Sequence, residues 1–176
     1  KNTNGILHSR GVRRFMLTNM ILWLMTGATA ATWTVATDGT GDFQTIQDAI
    51  DAASDGDEIH LSAEVYYEPF DLSGKSLDIV GKCFDQTWID GMGDYDQMIT
   101  VTQGERVGLF GFGLTNAFHQ GLVVDGSTVS LHDVNFSGLG SSESYGGAFA
   151  AHNADITIAD SQLNMNYGYD GGAINA

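Results

Sequence analysis

The chain is short of several things, and each shortage excludes something. It has one cysteine, Cys83, in 176 residues, so no intrachain disulfide framework holds it together. It has one proline against 23 glycines, which points to a structure of many tight turns built without proline. Lys and Arg number 7 against 22 Asp and Glu, for a formal net charge of -15. Nucleic acid is therefore excluded as a partner, because phosphate binding needs a basic face. What is present is enough apolar residue, 43%, for a packed core rather than wholesale disorder. The length suits one domain, or part of a larger one.

The N-terminus carries a distinct pattern. Arg10, Arg13 and Arg14 precede a mostly apolar run from Phe15 to Met25, and Ala28-x-Ala30 follows. Basic, apolar and small residues in that order define a secretory signal peptide. We read residues 1–30 as upstream residues and leader, and 31–176 as the folded part. The competing reading, an uncleaved anchor, is opposed by an apolar run shorter than the roughly 20 residues a bilayer span needs. The leader holds no acid, so the rest has only Lys75, Lys82 and Arg106 to set against all 22 acids. Such a surface suits a secreted, extracellular or cell-surface protein, outer-membrane association included. It disfavours polyanionic ligands unless cations bridge them, and adaptation to a salty medium explains it equally well.

Helical periodicity occurs once in the mature part. Phe43, Ile46, Ala49, Ile50 and Ala53 fall on one face, and Thr45 with Asp48 has the spacing of a capping box. This predicts a short helix over 44–53, stopped by Asp55-Gly56-Asp57. Elsewhere a short cassette recurs. Ile59-His60-Leu61, Leu77-Asp78-Ile79, Val107-Gly108-Leu109, Val129-Ser130-Leu131 and Ile156-Thr157-Ile158 share one apolar-x-apolar form. Leu114, Phe136 and Leu163 follow the last three at a constant offset, and Met98–Val101, Leu122–Val124 and Phe149–Ala151 precede them. A constant internal offset with variable spacing means strands stacked in register and loops of different length. The predicted fold is all-β, a right-handed parallel β-helix whose N-terminal end is covered by the helix. Leu114, Phe136 and Leu163 should form one inward column. Gly171-Gly172-Ala173-Ile174 repeats Gly146-Gly147-Ala148-Phe149, so the chain is expected to be truncated at the start of a further rung.

Val35 to Ala53, containing Thr37-Asp38-Gly39-Thr40-Gly41-Asp42-Phe43-Gln44-Thr45-Ile46-Gln47-Asp48-Ala49-Ile50, resembles the opening of pectin methylesterases and other pectin-lyase-like right-handed β-helix proteins. Tyr66-Tyr67-Glu68 is similar to the Gly-x-Tyr-x-Glu element that follows there, with Glu64 in place of the Gly. Gly171-Gly172-Ala173-Ile174 and Leu163-Asn164-Met165-Asn166 resemble the repeats of polymorphic outer-membrane-protein-like surface proteins. The resemblance spans Trp33 to Ala176 and speaks to fold more than activity. In the esterases a Gln, two Asp and an Arg form the site. Gln120 matches the first of these, but the Gln-Asp element due near Leu139-Gly140-Ser141 is absent.

No catalytic residue is assigned on these grounds, and no cofactor is firmly implied. Asp90, Asp94 and Asp96 offer hard oxygen ligands on a Gly-rich loop that suits Ca2+, though Asp-Gly pairs also form ordinary turns. His60, His119, His132 and His152 lack metal-ligand spacing and read as strand or turn residues. Tyr145, Tyr167 and Tyr169 are expected to pack on neighbouring rungs, with sugar stacking as the alternative. Lys75, Lys82 and Arg106 read as turn solubilisers, and Cys83 as a small buried strand-edge residue. The expected function is a secreted or cell-surface β-helix scaffold, adhesin or passenger-like domain, without a complete catalytic site in this segment. Its expected partner is extracellular polysaccharide or another surface component. The alternative is the N-terminal part of a carbohydrate-active enzyme, pectate-lyase-like or pectin-esterase-like, whose site lies beyond residue 176.

Overall fold

A computed structural model describes residues 29–143, 147–169 and 172–175; the leader assigned to residues 1–30 lies almost wholly outside them. The elements run β1 (Thr32–Val35), α1 (Ile46–Ala52), β2 (Glu58–Leu61), β3 (Val65–Tyr66), β4 (Phe70–Asp71), β5 (Asp78–Val80), β6 (Trp88–Asp90), β7 (Gln97–Thr102) and β8 (Arg106–Phe110). They continue with β9 (Gly113–Thr115), β10 (Gln120–Asp125), β11 (Thr128–His132), β12 (Asn135–Ser137), β13 (Phe149–His152), β14 (Asp155–Ala159), β15 (Gln162–Asn164) and β16 (Ile174–Asn175). Every strand pair is parallel, and each sheet takes one strand per turn of chain. Sheet one orders β1-β2-β5-β8-β11-β14, sheet two β3-β6-β9-β12-β15, and sheet three β4-β7-β10-β13-β16. This is a right-handed parallel β-helix, as the recurring cassette predicts.

Register converts the sequence repeat into columns. On sheet two Tyr66, Ile89, Leu114, Phe136 and Leu163 stack one above the next. Leu114 and Phe136 are fully buried, and Leu163 packs against the same core. On sheet three the column is Phe70, Ile99, Leu122, Phe149 and Ile174. Sheet one contributes Ile59, Ile79, Leu109, Leu131 and Ile158. The three columns meet inside the coil, burying alternate residues along its inner rungs, while Ile158 and Ile174 on the last rungs are exposed.

The corners explain the Gly, Asp and Asn punctuation. The last three strands of sheet two each end in a left-handed residue at an equivalent place: Asn116 (φ 56), Gly138 (φ 66) and Met165 (φ 51). Sheet one does the same with Gly111, Asp133 and Asp160. A left-handed corner favours glycine, or a short polar side chain that bonds locally.

The helix spans Ile46–Ala52, shorter at both ends than the predicted 44–53. Thr45 caps it, its hydroxyl accepting from Asp48 N at 3.2 Å. The remaining first-turn donor, Ile46 N, gives its hydrogen bond to Glu68 Oε1 at 2.9 Å. Ile46, Ala49 and Ile50 are buried, so the helix closes the N-terminal end of the core. Burial of its apolar surroundings pushes the Glu68 carboxyl above its ordinary range.

Two expectations of register and environment are corrected. Ile59 pairs with Ile79, not Leu77; the position stacked on Leu77 is Asp57. Asp57 is buried there and accepts from Ala31 N (2.7 Å), Ser54 N (2.9 Å) and Trp33 Nε1 (3.1 Å). These donors hold its carboxyl below the usual range, Ser54 first. Cys83 is neither on a strand nor fully buried. It lies half-buried in the β5–β6 loop, its Sγ 2.7 Å from Asp85 Oδ1, and that acceptor raises the thiol pKa.

Candidate functional site

Two features adjoin: the outer face of sheet three, and the stacked loops that lead into it from sheet two. Residues of sheet three form rows along the coil axis. Gln97 sits beside Gln120, Thr100 beside Val123 and Ala150, and Thr102 beside Asp125 and His152. The face is shallow and concave in two places. One groove of about 530 Å³ is lined by Val123, Asp125, Ala150, His152 and Asn175 among others. A smaller one of about 240 Å³ lies nearer the helix, with Asp71, Gln97 and Thr100 on its wall.

The loops between sheets two and three are tied to one another rung by rung. Gly93 N donates to Asn116 O, Phe118 N to Tyr95 O, Gly140 N to Ala117 O, and Tyr167 N to Leu139 O. Their backbones are fixed, while their side chains project. Met92, Phe118, Met165, Tyr167 and Tyr169 are all exposed large apolar residues, Tyr169 at 75%. The turn tyrosines expected to pack on neighbouring rungs therefore stand largely in solvent where the structure describes them; Tyr145 lies outside the described residues. Between these loops runs a groove of about 570 Å³, lined by Asp90, Met92, Asn116, Phe118, Gly138 and Gly140 among others. Glycines at the third rung leave the groove floor without side chains.

The candidate calcium ligands occupy this same edge but serve other contacts. Asp90 Oδ1 accepts from Met92 N at 2.8 Å and from Asn116 Nδ2 at 2.9 Å. Asp96 Oδ1 lies 3.1 Å from His119 Nδ1, and Asp94 is exposed in the loop between them. Among the described residues no three His, Cys, Asp or Glu side chains are grouped as a metal site.

Gln120, singled out by its sequence context, begins β10 half-buried, in register with Gln97. The rung after it presents Gly147 at the matching register position. A Cβ there would fall 2.3 Å from Tyr167 O and 2.5 Å from Leu139 O, so close packing of two loops forbids a carboxylate side chain at that point. The histidines fall on strands or turns as read: His60 pairs with Glu58 at 2.9 Å, and His132 with Asp160 at 3.1 Å. Lys75 does more than solubilise a turn, since its Nζ donates to Ala53 O at 2.6 Å behind the helix C-terminus.

What sequence reading missed is the outward row on sheet three and the apolar stripe that Met92, Phe118 and Met165 form with Tyr167 and Tyr169 on the loop edge. The stripe was detectable only as scattered residues, because variable loop lengths hide which of them share an edge.

Comparison with known proteins defines the class. No family model matches this chain, and no curated protein does. Among solved structures it is similar to a crystal structure of a pectin methylesterase mutant in complex with a hexasaccharide, at TM-score 0.50 and 16% sequence identity. The match covers 79% of this chain and 55% of that one. The chain thus has the pectin-lyase-like β-helix fold, and it spans little more than half the length of the solved relative it matches.

Proposed function

We propose that this β-helix is an extracellular or cell-surface module that binds polysaccharide along the loop edge and the adjoining face of sheet three, acting as a scaffold or adhesin. The observation that carries the reading is the stripe of exposed aromatic and Met side chains beside a groove on a rigid stack. Soluble proteins rarely leave such a patch open unless it meets a partner. Aromatic faces stack on the apolar faces of sugar rings, and amides such as Gln97 and Gln120 supply hydroxyl recognition. Binding of a hexasaccharide by a protein of the same fold supports this, as does the leader-like N-terminus. The test is glycan-array screening followed by calorimetry with the best polymer. Phe118→Ala should weaken binding roughly tenfold while leaving the circular dichroism spectrum unchanged. Unaltered affinity in that variant would sink the reading.

A second reading has one observation in its favour, the register of half-buried Gln120 beside Gln97 at the start of the sheet-three strands. Under it the chain belongs to a carbohydrate-active enzyme whose remaining catalytic groups come from other rungs. Methanol release from methylated pectin, or unsaturated product from pectate, by the complete secreted protein would favour this reading over the first.

A further inference from the structure

From the composition of the loop edge we infer that its ligand carries protonated amines, as an amino-sugar polymer does. The inference rests on the polysaccharide reading above and adds the charge of the ligand to it. The three basic residues of the mature chain all lie elsewhere. Lys75 is engaged at the helix C-terminus, Lys82 is in the β5–β6 loop, and Arg106 begins β8 on sheet one. The loops from sheet two to sheet three hold no Lys or Arg. They hold Asp94, Asp96 and Glu143, with Asp90 on the groove wall.

Acid and aromatic groups are also joined in space. The Phe118 ring meets His119 edge-on at 4.6 Å between centroids, and His119 in turn bonds Asp96. The exposed rings attract an ammonium group through their quadrupoles, and the exposed carboxylates of Asp94, Asp96 and Glu143 on the same loops attract it through charge. Those carboxylates repel a uronate. Exposed rings alone would accept a neutral sugar as readily as an aminated one; the one-signed charge of the edge is what separates them.

The experiment compares three oligomers of equal length by calorimetry: glucosamine, N-acetylglucosamine and galacturonate, at a pH where the free amines are protonated. The glucosamine oligomer should bind about tenfold tighter than its acetylated counterpart. Added salt should narrow that difference, and so should the double variant Asp94→Asn, Asp96→Asn. Phe118→Ala should weaken both aminated and acetylated ligands. Equal affinity for the acetylated oligomer, or preference for galacturonate, overturns the charge inference and leaves the polysaccharide reading standing. Glucosamine binding that ignores Phe118→Ala overturns it as well, since attraction would then be diffuse rather than sited here. No binding by these or any arrayed glycan brings down both.

Discussion

Asp78 lies half-buried on the outer face of sheet one, one rung above Glu58 in register. Its carboxylate rests against Gly108, where a Cβ would come within 2.3 Å of Asp78 Oδ1. Burial first, and the charge of Glu58 second, raise its pKa. A carboxyl whose folded pKa is raised favours the folded state when protonated, and that contribution is lost as pH rises through the folded value. Asp78→Asn should therefore raise the melting temperature at neutral pH, and the difference from wild type should shrink as pH falls into the carboxylate range. Solvent screening keeps the gain small, about 0.5 kcal/mol, read by thermal melts at several pH values. Asp38 and Asp42 act in the opposite sense. Hydrogen bonds from Thr40 and Thr34 hold their carboxyls low, so their contribution is present above the ordinary range and fades on acidification. Tyr66 is the other residue with a distinct forecast. It is fully buried, donates to Val35 O and accepts from Ser62 N, both at 2.8 Å. Tyr66→Phe removes both bonds, but Ser62 N keeps its own bond to Val35 O at 3.0 Å, so the change should cost about 1 kcal/mol, measured by urea unfolding.

At the scale of elements, α1 is a lid on an apolar column. Ile50 is buried beneath it, and Ile50→Ala should destabilise by about 2–4 kcal/mol. Opening that end also uncovers strand edges, so the variant should elute as larger species in size-exclusion chromatography. A monomeric variant of unchanged stability would contradict the capping role. This level also shows what sequence made readable and what it concealed. Leu114 and Phe136 could be placed in one column because the offset from the preceding strand is constant. The first turn could not be aligned the same way. Asp57 fills a position that later rungs give to Leu77 and Val107, so a buried carboxylate interrupts the apolar pattern and slips the apparent register by two residues. Glu68 likewise looks like a surface acid, yet it completes the helix cap from another rung, a long-range pairing that local spacing does not reveal. For the candidate site, Asp90, Asp94 and Asp96 pointed to the right edge through turn chemistry. Met92, Phe118 and Met165 did not, because they come together only through stacking.

For the molecule as a whole, residues 31–176 concentrate nearly one sign of charge, 22 acids against Lys75, Lys82 and Arg106, on a narrow cylinder. Coil stacking places Glu58 and Asp78 on successive rungs, about 4.8 Å apart along the axis, and such like charges repel until screened. Thermal stability should rise as sodium chloride is raised from low to physiological ionic strength and beyond, and circular dichroism melts over a salt series would record it. A melting temperature that falls with salt would mean that favourable ion pairs outweigh this repulsion.

Main-chain hydrogen bonds bind one loop of the edge to the next, such as Gly140 N to Ala117 O and Gly138 N to Asn164 O, beside side-chain ties such as Asn116 Nδ2 to Asp90 Oδ1. Backbone ties are indifferent to the side chains between them. The projecting ring of Phe118 can thus be exchanged while the barrel of stacked aliphatics beneath stays as it was, whereas positions 92 and 165, held at φ 52 and 51, accept glycine or asparagine more readily than a branched side chain.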